Sequence, residues 1–467
     1  MIAQKRKQFV TAVVSNKAGE IFDLDGYAAV GMAGPSLIPL TLDDTMNMPF
    51  GGELMLMPDR KPLVYDIHRQ RIELLKENPY SPGEPIFPVA AFNSPGYVVS
   101  LVSAYKENET FGILPLFSYG AVGWHKGKFR SAVIRVDRER RQDLRLMKPE
   151  DVAAGISKIQ KQMPANRLAK HLEKCAMEYG CPAAKNFFLG RYEAPLPTSP
   201  RCNARCLGCL SLQKNSEIPH SQDRIDFKPS SEDIADIALC HIKRVKKSVV
   251  SFGQGCEGDP LLAADVIEPA IKEIRSKTRQ GTINMNTNGS KPEILKGLFA
   301  AGLDSIRISL NSVRKNYYDT YFRPVKYTFF DVIKSIELAL KENIFVSINY
   351  LNCPGFTDTP EEVEALLNFI YQHPINMIQW RNLNFDPQKY WEIMSDTAEL
   401  KTSVGMDRVI RHVKESFPDV KHGYFNPPKE KFAPTRTNRK KTFITKSRKF
   451  ALNIFSILAK GTLRLPA

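Results

Sequence analysis

The periodicity of hydrophobic and polar residues differs between successive parts of this chain. Residues 1–148 contain short apolar and aromatic runs separated by Gly, Pro and Asn, a pattern typical of strands joined by turns. The runs read VTAVVSN, YAAVGMAG, ELMLM, PVAAF, YVVSLVSAY and FRSAVIRVD. One helix is predicted in this part, from Asp66 to Lys76. We therefore predict a β-rich N-terminal domain over residues 1–148.

Residues 149–189 switch to a helical pattern. Pro149-Glu150-Asp151 begins the stretch DVAAGISKIQKQM, and NRLAKHLEKCAMEYG follows before Pro182. Proline and acidic residues at the start of a periodic apolar run indicate the N-terminus of a helix. This part is predicted to be a helical connector.

Residues 190–395 alternate between apolar runs and amphipathic stretches. The apolar runs predict strands at 196–199, 248–253, 282–287, 305–311, 346–352 and 377–384. Helices are predicted at 231–244, 262–278, 292–301, 328–342 and 360–372. Strands that each lead into a helix through right-handed crossovers form a parallel sheet or barrel. The predicted fold class is α/β, with a partial (β/α)6 barrel whose site lies at the carboxyl ends of the strands.

Composition narrows the class of protein and its compartment. At 467 residues, the chain is expected to hold two or three domains. It has no apolar run of the ~20 residues that cross a bilayer, and its first residues lack the apolar segment of a signal peptide. Eight cysteines without secretory targeting favour a reducing compartment and a use in metal binding or catalysis. We predict a cytoplasmic protein without a transmembrane segment.

Positive charge is concentrated in residues 396–467, which are predicted to form a helical and basic C-terminal extension. From Lys421 onward, twelve Lys and Arg stand against Glu430 alone, so +11 of the net charge of +16 lies there. Such a tail can bind nucleic acid phosphates, or lie on a membrane surface or a partner. It can also be a solvated tail whose final helix docks on the barrel. These interpretations stay open.

Three cysteines in one short loop are the strongest chemical signal in the chain. Cys202, Cys206 and Cys209 have C-x3-C-x2-C spacing and follow the first predicted barrel strand. Iron–sulfur clusters normally take four Cys ligands, so three thiolates can bind a [4Fe-4S] cluster and leave one iron open to an external ligand. A zinc site would need a fourth ligand, for which His220 is the nearest candidate. Three reduced structural thiols are the remaining alternative.

Further motifs stand at the ends of the following predicted strands. FGQGCEGDPLL follows the second strand, Asn286-Thr287-Asn288-Gly289 follows the third, and RISLNS forms the fourth. Tyr321-Phe322-Arg323-Pro324 then precedes a predicted helix. Together with the cysteine loop, this ordered set over about residues 190–390 resembles the radical S-adenosylmethionine (SAM) superfamily.

The resemblance implies a [4Fe-4S] cluster on Cys202, Cys206 and Cys209, with SAM chelating the open iron and being cleaved to a 5′-deoxyadenosyl radical. Gly258 and Asp259 stand where the family receives the SAM amino group. The chain departs from the family pattern here, because Glu257 replaces a usual Gly and Asp259 a usual Glu. Which of the two carboxylates makes the contact stays open.

The resemblance implies further SAM contacts on later strands. Asn288 is expected to reach the SAM carboxylate or the cysteine loop. Ser309 and Asn311 share a side-chain parity and are expected to face the barrel interior near the ribose. Arg381, a cation in an otherwise apolar strand, is expected to bind the SAM carboxylate or an acidic substrate.

The remaining cysteines allow two interpretations. Cys256 and Cys353 lie just past predicted strand ends and are candidate catalytic thiols, although free cysteines are also common as small buried hydrophobic residues. Cys175 and Cys181 form a C-x5-C pair that, together with Cys256 or Cys353, would make an auxiliary Fe–S cluster.

These observations favour a radical SAM enzyme that modifies a peptide or protein, an RNA or a small molecule. The predicted partners are that substrate and an electron donor such as flavodoxin or ferredoxin. The alternatives are an Fe–S electron-transfer protein and a basic RNA-binding protein, neither of which would carry out SAM chemistry. The cofactor would supply the difficult chemistry, and the protein would position it and exclude water.

Overall fold

The computed structural model describes residues 8–107, 112–213, 218–396 and 402–432. Its first part is built of short antiparallel strands, as the sequence predicts. They are β1 (Thr11–Ser15), β2 (Ile21–Ala33), β3 (Ser36–Pro39), β4 (Met46–Asn47), β5 (Glu53–Leu56), β6 (Arg60–Asp66), β7 (Arg71–Leu74), β8 (Phe87–Phe92), β9 (Tyr97–Val99), β10 (Val102–Ser103), β11 (Tyr105–Glu107), β12 (Val122–His125), β13 (Lys128–Ser131) and β14 (Val133–Arg135). The long strand β2 is central and pairs with β1, β3, β6 and β10.

The prediction of a helix from Asp66 to Lys76 is wrong. Strands β6 and β7 occupy this stretch and form an antiparallel hairpin. The Asp66 carboxylate accepts hydrogen bonds from the backbone N–H groups of His68 (2.9 Å) and Arg69 (2.8 Å) at the turn. Asp side chains that bond nearby backbone in this way stabilise turns at the expense of helices.

The helical connector consists of α1 (Pro149–Gln162), α2 (Arg167–Met177) and α3 (Pro182–Leu189). Proline stands in the first turn of α1 and of α3, where it has no N–H hydrogen bond to lose. The Asn166 side chain caps α2 by accepting a bond from the Ala169 N–H group. The three helices pack on one another, and α3 packs on the first strand of the barrel, β15 (Glu193–Pro195).

The barrel is a parallel sheet whose strands are hydrogen-bonded in chain order, which confirms the α/β partial-barrel prediction. After β15 the strands are β16 (Val249–Phe252), β17 (Thr282–Thr287), β18 (Ser305–Leu310), β19 (Phe345–Asn352), β20 (Met377–Asn382) and β21 (Lys421–Gly423). The helices are α4 (Ser231–Arg244), α5 (Ala264–Lys277), α6 (Pro292–Ala301), α7 (Lys315–Phe322), α8 (Phe329–Lys341), α9 (Pro360–Gln372), α10 (Pro387–Ser395) and α11 (Met406–Ser416). The first strand lies a few residues earlier than predicted, and β21 was not predicted.

The open edge of the barrel is bridged by Asn426. Its Nδ2 donates to Glu193 Oε1 of β15 (2.8 Å) and to Ser251 Oγ of β16 (3.2 Å), and its Oδ1 accepts from Gln379 Nε2 of β20 (2.9 Å). The following residues stay on the barrel, because Phe432 stacks on Phe345 with ring centroids 4.0 Å apart. The part of the basic extension beyond residue 432 lies outside the described residues.

The β-rich part covers the carboxyl ends of β19 and β20. Asn382 Oδ1 accepts from the Val99 N–H group (2.8 Å), and Asn352 Nδ2 donates to the Val99 carbonyl (2.7 Å). The buried Asp386 carboxylate accepts from Tyr105 OH (2.9 Å) and from the Leu114 N–H group (3.0 Å). This side of the barrel mouth is therefore closed by protein. Among the described residues, no helix is long and apolar enough to cross a membrane.

Candidate functional site

The three cysteines predicted to bind iron lie in the loop that follows β15, at the mouth of the barrel. All three are half-buried. The loop is held by backbone hydrogen bonds to the end of α7: Arg205 N–H donates to the Phe322 carbonyl (2.8 Å) and Leu207 N–H to the Tyr321 carbonyl (3.1 Å). The Val325 N–H group donates to the Asn203 carbonyl (2.8 Å) just beyond the helix. The motif Tyr321-Phe322-Arg323-Pro324 therefore serves to fix the cysteine loop.

The thiols of this loop fit a cluster better than a single ion. Donors point at two of the sulfurs, since Ala204 N–H lies 3.4 Å from Cys202 Sγ and Arg224 Nη2 lies 3.4 Å from Cys209 Sγ. Hydrogen bonds to cluster sulfurs tune Fe–S sites. Burial and then the nearby charge of Asp259 raise the pKa of Cys202 to about 11, so metal binding has to displace its proton.

Ligand spacing argues against zinc at the cysteine loop. In the described part of the chain, the only group of three ligand atoms within 4.8 Å of one another lies elsewhere, so the three loop thiols do not converge on one point. Thiolates of a [4Fe-4S] cluster bind different irons and need no such convergence. His220, the predicted fourth zinc ligand, instead has its Nε2 3.2 Å from Asp223 Oδ1.

Gly258 lies against the start of the cysteine loop. Its N–H group donates to the Ser199 carbonyl (2.6 Å), and the Asp259 N–H group donates to the Arg201 carbonyl (2.9 Å). A Cβ atom at position 258 would lie 2.0 Å from the Arg201 carbonyl oxygen. Glycine is therefore needed for this approach of two backbone segments, one residue before Cys202.

Glu257 is buried and its carboxylate is fully engaged by backbone. Oε2 accepts from Thr198 N–H (2.8 Å) and Ser199 N–H (3.0 Å), and Oε1 accepts from Gly253 N–H (2.7 Å) and Gln254 N–H (2.8 Å). Burial raises the pKa of Glu257 to about 7, although the four amide donors favour the ionised form. The side chain thus joins two loops. Because a carboxylate has about four acceptor positions, and all four are used here, none is left for a ligand.

Asp259 and Asn288 join the loops that follow β16 and β17. The Asp259 carboxylate accepts from Thr287 Oγ1 (2.9 Å) and from the Asn288 N–H group (2.7 Å), and burial raises its pKa. The Asn288 side chain in turn donates from Nδ2 to Asn203 Oδ1 (2.8 Å), between two of the cysteines. The structure thus brings Cys202, Gly258, Asp259 and Asn288 into one connected region.

The other predicted SAM contacts lie on later strands. Ser309 Oγ is 3.5 Å from Asn349 Nδ2 of the neighbouring strand. Asn311 is fully buried, and its Nδ2 donates to the Tyr317 carbonyl (3.1 Å) and to Tyr390 OH (3.2 Å). Asn311 therefore supports α7 and α10, whereas Ser309 stands in register with Asn349 of β19, which is in register with Gln379 of β20.

Two guanidinium groups lie inside the barrel, the buried one of Arg307 and the half-buried one of Arg381, and sequence reasoning found only Arg381. Arg307 of β18 donates from Nη1 to Gln379 Oε1 (2.6 Å), and the Arg381 guanidinium stacks on Tyr424 at 3.9 Å from the ring centroid. The Nε atoms of both side chains, and Asn349 Oδ1, are buried without a hydrogen-bond partner. Burial and the positive charge of Arg381 lower the pKa of Arg307 to about 9. A charged residue inside the apolar strand SIRISL was the signal that could have identified Arg307.

The two predicted catalytic thiols do not lie together. Cys256 packs against Cys175 of α2, and hydrogen bonding within this pair lowers the pKa of Cys175 and raises that of Cys256. Cys353 lies beneath the β-rich part, where it lines a cavity of about 10 Å³ with Tyr119 and Asn352, room for about one water molecule. Burial raises the pKa of Cys353 well above its ordinary value, which disfavours a thiolate.

Comparisons with known proteins agree with this geometry. Residues 196–370 match the Radical SAM superfamily. A GTP 3′,8-cyclase of Heliobacterium modesticaldum is 27% identical over 179 residues, which are 38% of this chain and 50% of that protein. A GTP 3′,8-cyclase of Petrotoga mobilis is 31% identical over 170 residues, 36% of this chain and 48% of that protein. The chain thus spans about half the length of these relatives.

A solved structure of methylornithine synthase is also similar, with a TM-score of 0.33, 14% identity, and coverage of 66% of this chain and 93% of that chain. A TM-score and identity this low support no conclusion of their own. The match over residues 196–370 coincides with the cysteine loop and the motifs at the strand ends, as the sequence predicted. Residues 196–370, which carry these motifs, therefore match the radical SAM superfamily, whose members are enzymes that use a [4Fe-4S] cluster and SAM.

Proposed function

We propose that this protein is a radical SAM enzyme in which Cys202, Cys206 and Cys209 bind the [4Fe-4S] cluster. The observation that carries the proposal is the way the cysteine loop is joined to the neighbouring strand ends. Because Gly258 has no side chain, its backbone can pack against that of Arg201, and the Asn203–Asn288 hydrogen bond joins the loop to the turn after β17. A loop held on two sides keeps its thiolates in place while one iron stays open to SAM.

The residues at the mouth of the barrel have separate roles in cofactor binding. When bound and given one electron by an external donor, the cluster and SAM would supply the radical chemistry of hydrogen-atom abstraction from the substrate. Gly258 and Asp259 hold the edge that receives the SAM amino group, and Ser309 offers a hydroxyl toward the ribose. The β-rich part over β19 and β20 shields that side of the site from water.

A direct experiment tests the reaction class. Anaerobically reconstituted protein, reduced with dithionite, should convert SAM to 5′-deoxyadenosine and methionine. The variant with Cys202, Cys206 and Cys209 all changed to Ala should lose both the cluster and this product. The Cys353→Ala variant is a matched control and should retain the cluster. A triple variant with unchanged iron and sulfide content would contradict the assignment.

We further propose that the substrate is anionic and that its acidic group binds Arg307 and Arg381. A buried guanidinium group close to a second, half-buried one is costly unless an anion accompanies them. Within the described residues, neither group has a carboxylate at ion-pairing distance, and each has a buried Nε without a partner. Planar guanidinium groups bind carboxylate and phosphate through paired hydrogen bonds.

GTP is the first ligand to test, because the two relatives above are named for acting on it. Equilibrium dialysis with the reconstituted protein measures binding without requiring turnover. The Arg307→Met variant should bind GTP about 10- to 150-fold more weakly, from a charged hydrogen bond worth about 1.5–3 kcal/mol. Arg408→Met, on the exposed face of α11, is the control and should bind like the wild type.

The outcomes of the two experiments are separate. SAM cleavage without GTP binding would leave the reaction class standing and would exclude GTP as the substrate. Equal GTP binding by the wild type and by Arg307→Met would show that the buried guanidinium does not recognise this substrate. Loss of SAM cleavage in Arg307→Met without any change in GTP binding would assign Arg307 to the SAM site instead.

A further inference from the structure

A second group of metal-ligating side chains lies beside the cysteine loop. His171 and Cys175 stand one turn apart on α2, and Cys256 lies in the loop after β16. One ligand atom from each residue lies within 4.8 Å of the other two, and His171 Nε2 is 3.5 Å from Cys175 Sγ. Both thiols are nearly inaccessible, with Cys175 2% and Cys256 5% exposed. The fold therefore brings two sulfurs and one imidazole nitrogen to a single point.

Cys181 lies next to this group, although its thiol is not among the atoms within 4.8 Å of one another. Its N–H group donates to the Cys175 carbonyl (2.9 Å), which brings the first residue before α3 back to the end of α2. Its thiol also interacts electrostatically with the thiols of Cys175 and Cys256. Three cysteines and one histidine make up one of the common ligand sets of structural zinc sites.

The spacing of the ligand atoms fits a single ion. With Zn–S of about 2.3 Å and Zn–N of about 2.0–2.1 Å, tetrahedral angles place sulfur and nitrogen about 3.5–3.6 Å apart. The observed separation of His171 Nε2 and Cys175 Sγ is 3.5 Å. In a [4Fe-4S] cluster the protein ligands bind different irons and are held apart by the cluster itself, which does not suit atoms that all lie within 4.8 Å. The geometry thus favours one ion over the auxiliary cluster that the sequence suggested.

We propose that His171, Cys175 and Cys256 bind one Zn²⁺ ion in a closed structural site, and that the thiol of the adjacent Cys181 turns in to supply the fourth ligand. Binding replaces the thiol protons of the three cysteines, which are released to solvent, and involves no change in redox state. Neutral His171 contributes Nε2. The site has four protein ligands and no open position, so it does not itself carry out catalysis.

The zinc site ties the helical connector to the SAM-binding edge of the barrel. Cys256 immediately precedes Glu257 and Gly258, which hold the loop at Ser199: the Glu257 carboxylate accepts from the Ser199 N–H group, and the Gly258 N–H group donates to the Ser199 carbonyl. A zinc ion at Cys256 would therefore fix this edge to helix α2 of the connector. The inference is independent of the substrate and of the reaction.

Metal analysis of the full-length chain tests the proposal. The variant lacking Cys202, Cys206 and Cys209 has no loop cluster and should still contain about one zinc per chain by mass spectrometry. Adding Cys175→Ser, Cys256→Ser or His171→Ala to it should reduce zinc to trace levels. Cys240→Ser, in the outer helix α4, is the matched control and should retain zinc. Circular dichroism establishes which variants remain folded.

X-ray absorption at the zinc edge of the wild-type protein gives a test that needs no variant. We expect three sulfurs at about 2.3 Å and one nitrogen at about 2.0–2.1 Å. Iron and sulfide retained by the triple variant would overturn the proposal in favour of an auxiliary cluster. Folded protein that takes up no zinc when the ion is supplied would overturn it in favour of plain packing of buried thiols and imidazole.

Discussion

Changing Gly258 to Ala should damage the cluster site without touching any cysteine. The new Cβ atom would lie 2.0 Å from the Arg201 carbonyl oxygen and 2.4 Å from its carbonyl carbon. Both are backbone atoms, so no side chain can rotate to relieve the contact. The segment that leads into Cys202 has to move, and the bonds Gly258 N–H to Ser199 and Asp259 N–H to Arg201 are lost or stretched.

The magnitude follows from these contacts. Overpacking by one methyl group costs about 1–3 kcal/mol. Each of the two hydrogen bonds contributes about 0.5–1.5 kcal/mol, so the free energy of unfolding should fall by about 2–6 kcal/mol. Because the strain is applied one residue before Cys202, the iron content after reconstitution should fall as well.

Denaturant unfolding, iron and sulfide analysis and SAM cleavage measure these effects together. Gly297→Ala is the matched control, since its Cβ atom would meet only the Glu268 carboxylate, at 3.4 Å. Gly297 lies within α6, where Ala is favoured by up to about 1 kcal/mol, so the control should keep or gain stability. A Gly258→Ala protein with wild-type stability and full iron content would refute the packing of this loop against the cysteine segment.

Two further predictions concern regions away from the cluster. Burial raises the pKa of Asp358 from 3.8 to about 6, so the folded protein binds its proton more tightly than the unfolded chain does. The stability that protonated Asp358 contributes is therefore lost as the pH rises from about 4 through 6, by up to about 3 kcal/mol. The Asp358→Asn variant should flatten this part of the curve of unfolding free energy against pH. An unchanged curve would show that Asp358 does not titrate there. Truncation after Phe432 should leave thermal stability and SAM cleavage intact and weaken salt-dependent binding to an anionic partner, whereas truncation after Gly423 also removes Asn426 and should destabilise the barrel. Equal loss of SAM cleavage in both truncations would show that the basic tail belongs to the catalytic part.

Local patterns predicted most of the barrel strands and helices. Buried parallel strands read as continuous apolar runs, and their helices carry capping signals such as Ser230 and Asp233, which form the capping box at the start of α4. The strand β21, Lys-His-Gly, was missed because three residues without an apolar pattern give no strand signal. The helix at Asp66 was wrongly predicted because this stretch contains a turn between two strands, which the Asp66 carboxylate stabilises.

The sequence by itself determined that the three candidate cluster ligands lie together, because three thiols within eight residues must share one loop whatever the rest of the chain does. It also determined the order of the motifs at the strand ends. Only the tertiary structure decided which distant side chains meet: His171 with Cys256, Arg307 with Gln379, and Asn426 with Glu193. These pairs depend on the packing of separate elements, whose distances no local pattern encodes. Burial then sets the pKa values and hydrogen bonding of these groups, because a buried polar or charged group has no water and depends on the partners that the fold supplies.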